Sequence, residues 1–325
     1  MFTKTIFMLG LFFIPLFILN SGIVSSPLVL FILYIISGLG MAGIGMGVMH
    51  DAIHGSYSKN RNINKFLGYT MNLIGGSATV WKIQHNVLHH TYTNIHEADD
   101  DINMPSFLRF SPNAKKYWWH RFQHIYIWFF YGMSTISWVT AKDFIRLRRY
   151  QKMGFFKRKN ELQKETLKII GWKVLYYSYT LVLPIFMVSL APWLIILAFV
   201  TMHFITGICL SLVFQTAHII RSTEFPLPDQ HGVVENDWWK HQLVTTSNYA
   251  PGSIFFSWLI GGLNYQIEHH LLPHICHIHY SQLSPIVART AKEFGITYLT
   301  KKTFAAAILD HVTMLRELGK KKVTS

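Results

Sequence analysis

The chain has 325 residues, half of them hydrophobic, with a positive mean hydropathy and a formal net charge of +14. Two cysteines, Cys209 and Cys276, lie outside any CxxC pair, so a disulfide framework is excluded. The basic excess carries no nucleic-acid-binding motif, and nucleic acid is not an expected partner.

In chain order, the first signal is a run without Asp, Glu, Lys or Arg from residue 5 to residue 50. A second such run covers residues 174–220. Each is long enough for two spans of about 20 residues joined by a tight turn. Asn20, Ser21, Gly22, Ser25, Ser26 and Pro27 supply the first turn, and Ala191 and Pro192 the second. The spans are predicted over 4–20, 28–49, 174–190 and 193–214. The apolar N-terminus is read as the first span and not as a signal peptide, because it lacks a small-x-small cleavage site and a second apolar segment follows at once. Phe66–Trp81, apolar with a Gly-Gly break, is predicted to be interfacial or re-entrant. His124–Thr140 is apolar and rich in Trp and Tyr. It is expected to lie in the interface, because crossing would place the basic stretch from Lys142 to Lys173 outside. Residues 281–294 and 303–318 read as amphipathic helices, and Lys320, Lys321 and Lys322 as a solvated end.

Nineteen of the 30 Lys and Arg lie between residues 51 and 173, ten lie after 220, and the proposed outer turns have none. That is a positive-inside distribution. It predicts both termini and both large loops on the cytoplasmic side, against an anionic leaflet or as a docking surface for an acidic redox partner. The expected fold is an all-α integral membrane protein over 1–325, a single domain. Two hairpins give four transmembrane helices. Residues 50–173 and 215–325 form a cytoplasmic helical cap.

Eight histidines stand out against this frame. His50 and His54 form HDAIH; His85, His89 and His90 form HNVLHH; His269 and His270 end QIEHH; His218 ends FQTAH. Residues four apart share a helix face, so His50 and His54 can address one site, as can His85 and His89. His90 is turned about 100° from His89 and can face a second metal, and His269 with His270 repeats the arrangement. Eight imidazoles nearly meet the needs of two metals. They suit iron, copper, nickel or zinc alike. His218 qualifies by sitting just past the second charge-free run. His203, 15 residues earlier and about 22 Å away along a helix, is read as a packing residue.

These boxes resemble those of the membrane fatty acid desaturase family, which carries three histidine motifs at the cytoplasmic ends of four spans. Gln266 at the head of the third box resembles the front-end subgroup, which includes linoleoyl-CoA (Δ6-type) desaturases. HHTYTN, FQTAH, HQLVTTSNYA and HHLLPHICHIHY are similar to that subgroup as well. The resemblance covers residues 35–300 or so. It implies two non-haem irons held by the eight histidines, O2 as co-substrate and a fatty acyl substrate. It also implies a location in a bacterial cytoplasmic membrane, or in the endoplasmic reticulum of a eukaryote. The 325 residues contain no HPGG haem motif, unlike many front-end relatives with a fused cytochrome b5 domain. Electrons are therefore expected from a separate carrier of ferredoxin or cytochrome b5 type.

Other residues receive lesser roles. Gln266 is expected behind the ligands or on a metal-bound water, with direct ligation as the alternative. Asp51 is expected to orient an imidazole through its second nitrogen, with a solvated helix surface as the alternative. Trp81 is assigned to the substrate tunnel or to core packing. His241 and His279 are candidates to line the site without ligating. Glu97, Asp99, Asp100 and Asp101 read as a solvated acidic loop. Two rival functions remain: an acyl hydroxylase on the same scaffold, and a non-enzymatic metal transporter. The transporter predicts ligands deep within the spans.

Overall fold

The computed structural model describes residues 1–320; Lys321 and Lys322 of the expected basic tail lie outside the described residues. Among the described residues its regular structure is helical, apart from one parallel two-residue pairing. Among the described residues, four helices are long and apolar enough to cross a membrane: α1 (Phe2–Asn20), α2 (Pro27–His54), and two more over Lys159–Met187 and Pro192–His218. The predicted spans fall on these four, but the helices run further. α2 continues past the predicted end at 49, so His50 and His54 lie on the same helix as the second span. The third helix stops at Met187, short of the predicted 190, because Val188 turns extended (φ −86°, ψ 129°).

The residues divide into two compact units. The first comprises Met1–Trp81 and Phe130–Ser211; the second comprises Lys82–Phe129 and the chain from Leu212 onward.

In the first unit, α1 and α2 pack closely along small residues. A side chain at Gly40 would collide with the backbone of Leu11 and Phe12, and such small-residue contacts let apolar helices approach each other. The predicted re-entrant segment is broken as its Gly-Gly suggested. α3 (Arg61–Gly68) and α4 (Thr70–Leu73) lead to a turn at Gly75, and α5 (Ala78–Lys82) follows. Gly75 has φ +87°, and a Cβ there would meet Val139 and Tyr176 at 2.7 and 2.9 Å. The buried Lys173 ammonium holds this turn, donating to the carbonyls of Gly75 and Trp138 and pairing with Asp143 at 2.8 Å. The aromatic segment after residue 123 is helical, as α6 (Gln123–Ser137) and, beyond a short π-helical stretch, α7 (Asp143–Lys152). It is not one of the four span-like helices. The third and fourth of those are α8 (Lys159–Met187) and α9 (Pro192–His218).

The second unit holds α10 (Trp238–Thr245), β1 (Asn248–Tyr249), α11 (Ile254–Leu259), α12 (Gln266–Leu271), α13 (Tyr280–Glu293), β2 (Thr300–Lys301) and α14 (Phe304–Lys320). The predicted amphipathic helices correspond to α13 and α14. β1 pairs with β2, Tyr249 opposite Lys301. The fully buried Arg109 ties down the end of α14, its guanidinium donating to the carbonyls of Ala114, Pro112 and Leu318. Leu318 lies in the last helical turn, where carbonyls lack intrahelical partners and a cation is favoured.

Candidate metal centre

The second histidine box does not adopt the α-helix that its spacing suggested. After α5 the chain is π-helical from Ile83 to His89, and the His90 N–H bonds to the His85 carbonyl. A π-turn makes residues five apart neighbours, where an α-turn would choose those four apart. His85 is thereby set beside His90, with their Nε2 atoms 3.3 Å apart. His90 Nε2 is also 3.0 Å from His269 Nε2. His89 is turned instead toward His218 and His270, with ring centroids at 4.8 and 4.9 Å. His218 and His270 are themselves 4.8 Å apart. The π-turn thus sets His85 beside His90 while keeping it near His89, since His85, His89 and Asp101 also offer ligand atoms within 4.8 Å of one another. The adjacent pair on α12 does split between the two groups as its spacing implied.

Each group has one ring nitrogen per histidine aimed at its neighbours. His89, His218 and His270 each offer a ligand atom within 4.8 Å of the others, and all three are buried. The opposite nitrogens explain this aim. His89 Nδ1 faces Asp99 at 3.0 and 3.1 Å, and His85 Nδ1 faces Asp101 at 3.3 Å. His270 Nδ1 faces the Gln242 side-chain oxygen at 2.8 Å, and His218 Nδ1 the Thr245 carbonyl at 3.3 Å. Carboxylates, the amide oxygen and the carbonyl only accept, so each Nδ1 must carry the proton. That leaves the Nε2 lone pair free, the tautomer a metal requires. The Gln242 orientation is fixed independently, because its Nε2 donates to the His90 carbonyl at 3.0 Å. His269 Nδ1 faces the Tyr280 hydroxyl at 3.3 Å. His218 Nε2 is buried and has no hydrogen-bond partner among the described residues. These donors fit a metal: imidazoles that are buried, oriented from behind and gathered by the nitrogens that face one another.

The acidic loop does not fit its expectation as a solvated segment. Asp99 is fully buried and Asp101 is a partner of His85. Asn94 (φ 61°) and Glu97 (φ 66°) take left-handed conformations that fold the loop back, and the Asn94 N–H donates to Asp99 at 2.9 Å. Burial acts to lower the His89 imidazole, but the charges of Asp99 and Asp101 outweigh it and raise the group to about 9. The same negative field favours a cation at His89. One sequence signal could have found these residues: a chain with only 16 acidic residues places three of them together ten to twelve positions after His89.

In the first unit, His50 and His54 sit one turn apart on α2 with ring centroids 4.8 Å apart. Trp81 is buried and packs edge-on to both, at 5.5 and 6.0 Å. Asp51 is buried, which removes the solvated-surface alternative. Its carboxylate is 3.8 Å from His50 Nδ1, an ion-pair distance longer than a hydrogen bond. Gln266 is 1% exposed, and neither atom of its amide has a hydrogen-bond partner among the described residues. An unpaired buried amide costs about 1–3 kcal/mol, which a bound ligand or water would relieve. Its spacing of three and four places it on the same face of α12 as His269 and His270.

The remaining candidates are placed away from ligation. His241 is buried with Nε2 on the Thr93 carbonyl at 2.9 Å, and His279 is exposed. His203 is buried in α9 with both nitrogens engaged, Nε2 by the Tyr176 hydroxyl at 2.8 Å and Nδ1 by Thr135 at 3.1 Å. A transporter would need such mid-helix imidazoles open, and this one is closed.

Comparisons with known proteins place the chain in a family. A model of the family "Fatty acid desaturase" matches residues 25–302. The chain is 35% identical over 291 residues to an sn-1 linoleoyl-lipid 6-desaturase of Arthrospira platensis, covering 88% of this chain and 77% of that one. It is 37% identical over 283 residues to the enzyme of the same name from Synechocystis sp., covering 87% and 78%. An acyl-lipid (8-3)-desaturase of Physcomitrium patens is 34% identical over 321 residues, covering 98% of this chain and 66% of its own length. With four apolar helices and a buried histidine centre, the chain belongs to the fatty acid desaturase family, as a membrane-embedded oxidoreductase acting on fatty acyl chains.

Proposed function

We propose that this desaturase is a front-end enzyme. On this reading it places a cis double bond at the Δ6 position of a lipid-linked 18-carbon polyunsaturated chain. The names of the similar cyanobacterial relatives support the position and the lipid carrier, and Gln266 at the head of the third box supports the subgroup. The proposed cofactor is a pair of non-haem irons. His50 and His54 would complete the ligand set with His85, His89, His90, His218, His269 and His270. The observation that carries this is the set of Nδ1 contacts made by Asp99, Asp101, Gln242 and the Thr245 carbonyl, which leave Nε2 lone pairs for metal.

When bound, the irons would supply the oxidising power from O2 that an unactivated methylene requires. The residues have separate tasks. Asp99 and Asp101 hold His89 and His85 in one tautomer and balance the cationic charge. Gln242 joins His270 to the His90 backbone. Gln266 would offer its buried amide to a bound ligand or water. Trp81 lines the approach to the first box. Overall, O2 is reduced to two waters, with two electrons from the acyl chain and two from a separate carrier of ferredoxin or cytochrome b5 type.

The basic loops support a topology with both termini and the centre on the cytoplasmic side, a helical cap over two hairpins and a single functional domain over 1–325. Residues 124–140 would then lie at the interface. Cysteine labelling near Arg148 from outside intact cells should fail; efficient labelling by an impermeant reagent would overturn this arrangement.

The test of function is expression in a host without such activity, fed linoleate and given a competent electron donor. A triene with its new bond at Δ6, located by mass spectrometry after double-bond derivatisation, is the expected product. A Δ9 product from stearate would overturn the front-end reading. A product bearing only a hydroxyl would favour the hydroxylase.

A further inference from the structure

A third charge-free run, residues 241–267, belongs to none of the four span-like helices. Most of it is buried, including all of residues 245–250 and 260–267. Between them the chain protrudes. α11 is a short apolar helix, started by Ser253, whose side chain accepts from the Phe256 N–H. None of its residues is buried. Ile254 is 87% exposed, Phe255 74% and Leu259 37%.

This tip has a rigid root at the end of the fourth apolar helix. Phe256 packs on Phe304 with centroids 4.9 Å apart, and Phe304 stacks on Tyr249 at 5.2 Å. The Tyr249 hydroxyl donates to the Val213 carbonyl at 2.8 Å, and the Ser247 N–H to the Ala217 carbonyl at 2.9 Å. Val213 and Ala217 lie in the last turns of α9. Ile254 lies five positions after Tyr249, a reach of at most about 18 Å. The apolar tip is therefore tethered within that reach of the last turns of α9. The β-pairing sets Lys301 beside Tyr249, and exposed Lys302 follows it.

We propose that α11 is an interfacial anchor that inserts Ile254, Phe255 and Leu259 into the leaflet at the end of α9, with Lys302 facing anionic lipid headgroups. Exposed apolar side chains on a helix too short to span are stable when sunk to the headgroup–acyl boundary, where aromatic rings are favoured and lysine reaches the polar layer. Continuity with a lipid-embedded helix distinguishes this patch from a docking site for a soluble protein. The inference rests on the four-span reading.

The test uses the full chain in nanodiscs of phosphatidylcholine and phosphatidylglycerol, with Cys209→Ser and Cys276→Ser. Single nitroxide labels are placed at Ile254→Cys, Phe255→Cys, Ile196→Cys on exposed α9 surface, and Gln230→Cys on the exposed loop. At 254 and 255, collision with oxygen should exceed collision with a polar nickel chelate several-fold, as at 196, and the ratio should invert at 230. If 196 reads as lipid while 254 and 255 match 230, the anchor is overturned and the spans stand. If 196 itself reads as water, the four-span reading fails. The unsubstituted chain gives a second measurement: photoactivatable acyl lipids should label the tryptic peptide following Lys240 within Ile254–Leu259. Labelling of the spans alone would overturn the proposal.

Discussion

His203 and His218 stand 15 residues apart on one helix, α9, and both are buried. In sequence they are alike: single imidazoles in an apolar, charge-free run. Their surroundings are opposite. His203 has each ring nitrogen bonded to a hydroxyl, from Tyr176 and Thr135, so its polar capacity is spent. His218 has one nitrogen on a carbonyl and the other with no partner among the described residues, beside His89 and His270. A buried polar atom is rarely left unpaired in a folded protein. The comparison teaches that completion of hydrogen bonding, more than burial or residue type, separates a structural imidazole from a ligand.

The strongest way to break the comparison is to exchange the two outcomes. His218→Ala, like His89→Ala or His270→Ala, should cost at least one equivalent of bound metal per chain and reduce desaturation by more than 100-fold. His203→Ala should retain full metal content. Metal analysis of purified protein checks both, and metal loss in His203→Ala with none in His218→Ala would reverse the assignment. One layer out, Asp99→Asn keeps the size of the side chain but removes the charge behind His89. Loss of such a partner lowers metal affinity about 10–100-fold, so chelator titration should show that drop while the helical content stays unchanged.

A third buried imidazole extends the series. His311 in α14 donates from Nδ1 to the Ile219 carbonyl at 2.7 Å, and burial lowers its pKa to about 4. Its folded value lies below its ordinary value of 6.5, so the unfolded chain binds the extra proton first. Stability from this group is full above about pH 6.5 and is lost as pH falls toward 4, on the order of 3 kcal/mol in total. Thermal melts of His311→Leu should decline less steeply than the parent across that window; equal slopes would refute the assignment. The smallest effect belongs to His203→Leu. It leaves the Tyr176 hydroxyl without its partner, and the free energy of unfolding should fall by about 1–2 kcal/mol with metal unaffected.

The long-range outline was legible in the sequence because its signals are local. Charge-free runs bounded by basic loops define spans without reference to contacts, and QIEHH splits its histidines by helical spacing alone. The failures have equally specific causes. The π-helical turn at Ile83–His89 moves His85 beside His90, and nothing in HNVLHH marks it. Asp99 and Asp101 looked solvated because composition registers a charge but not the loop that buries it. Tyr176 and Thr135, the partners that decide His203, lie 27 and 68 positions from it along the chain.

The sequence by itself determined the four apolar helices, the family and the eight imidazoles, since hydropathy and spacing are properties of neighbouring residues. The tertiary structure decided which imidazoles share a site, which nitrogen each presents, that the acidic loop closes over the second box and that α11 stands out from the buried run around it. These depend on side chains brought together across long separations, where a hydrogen-bond acceptor behind a ring fixes its tautomer and burial sets the cost of leaving a polar atom unpaired.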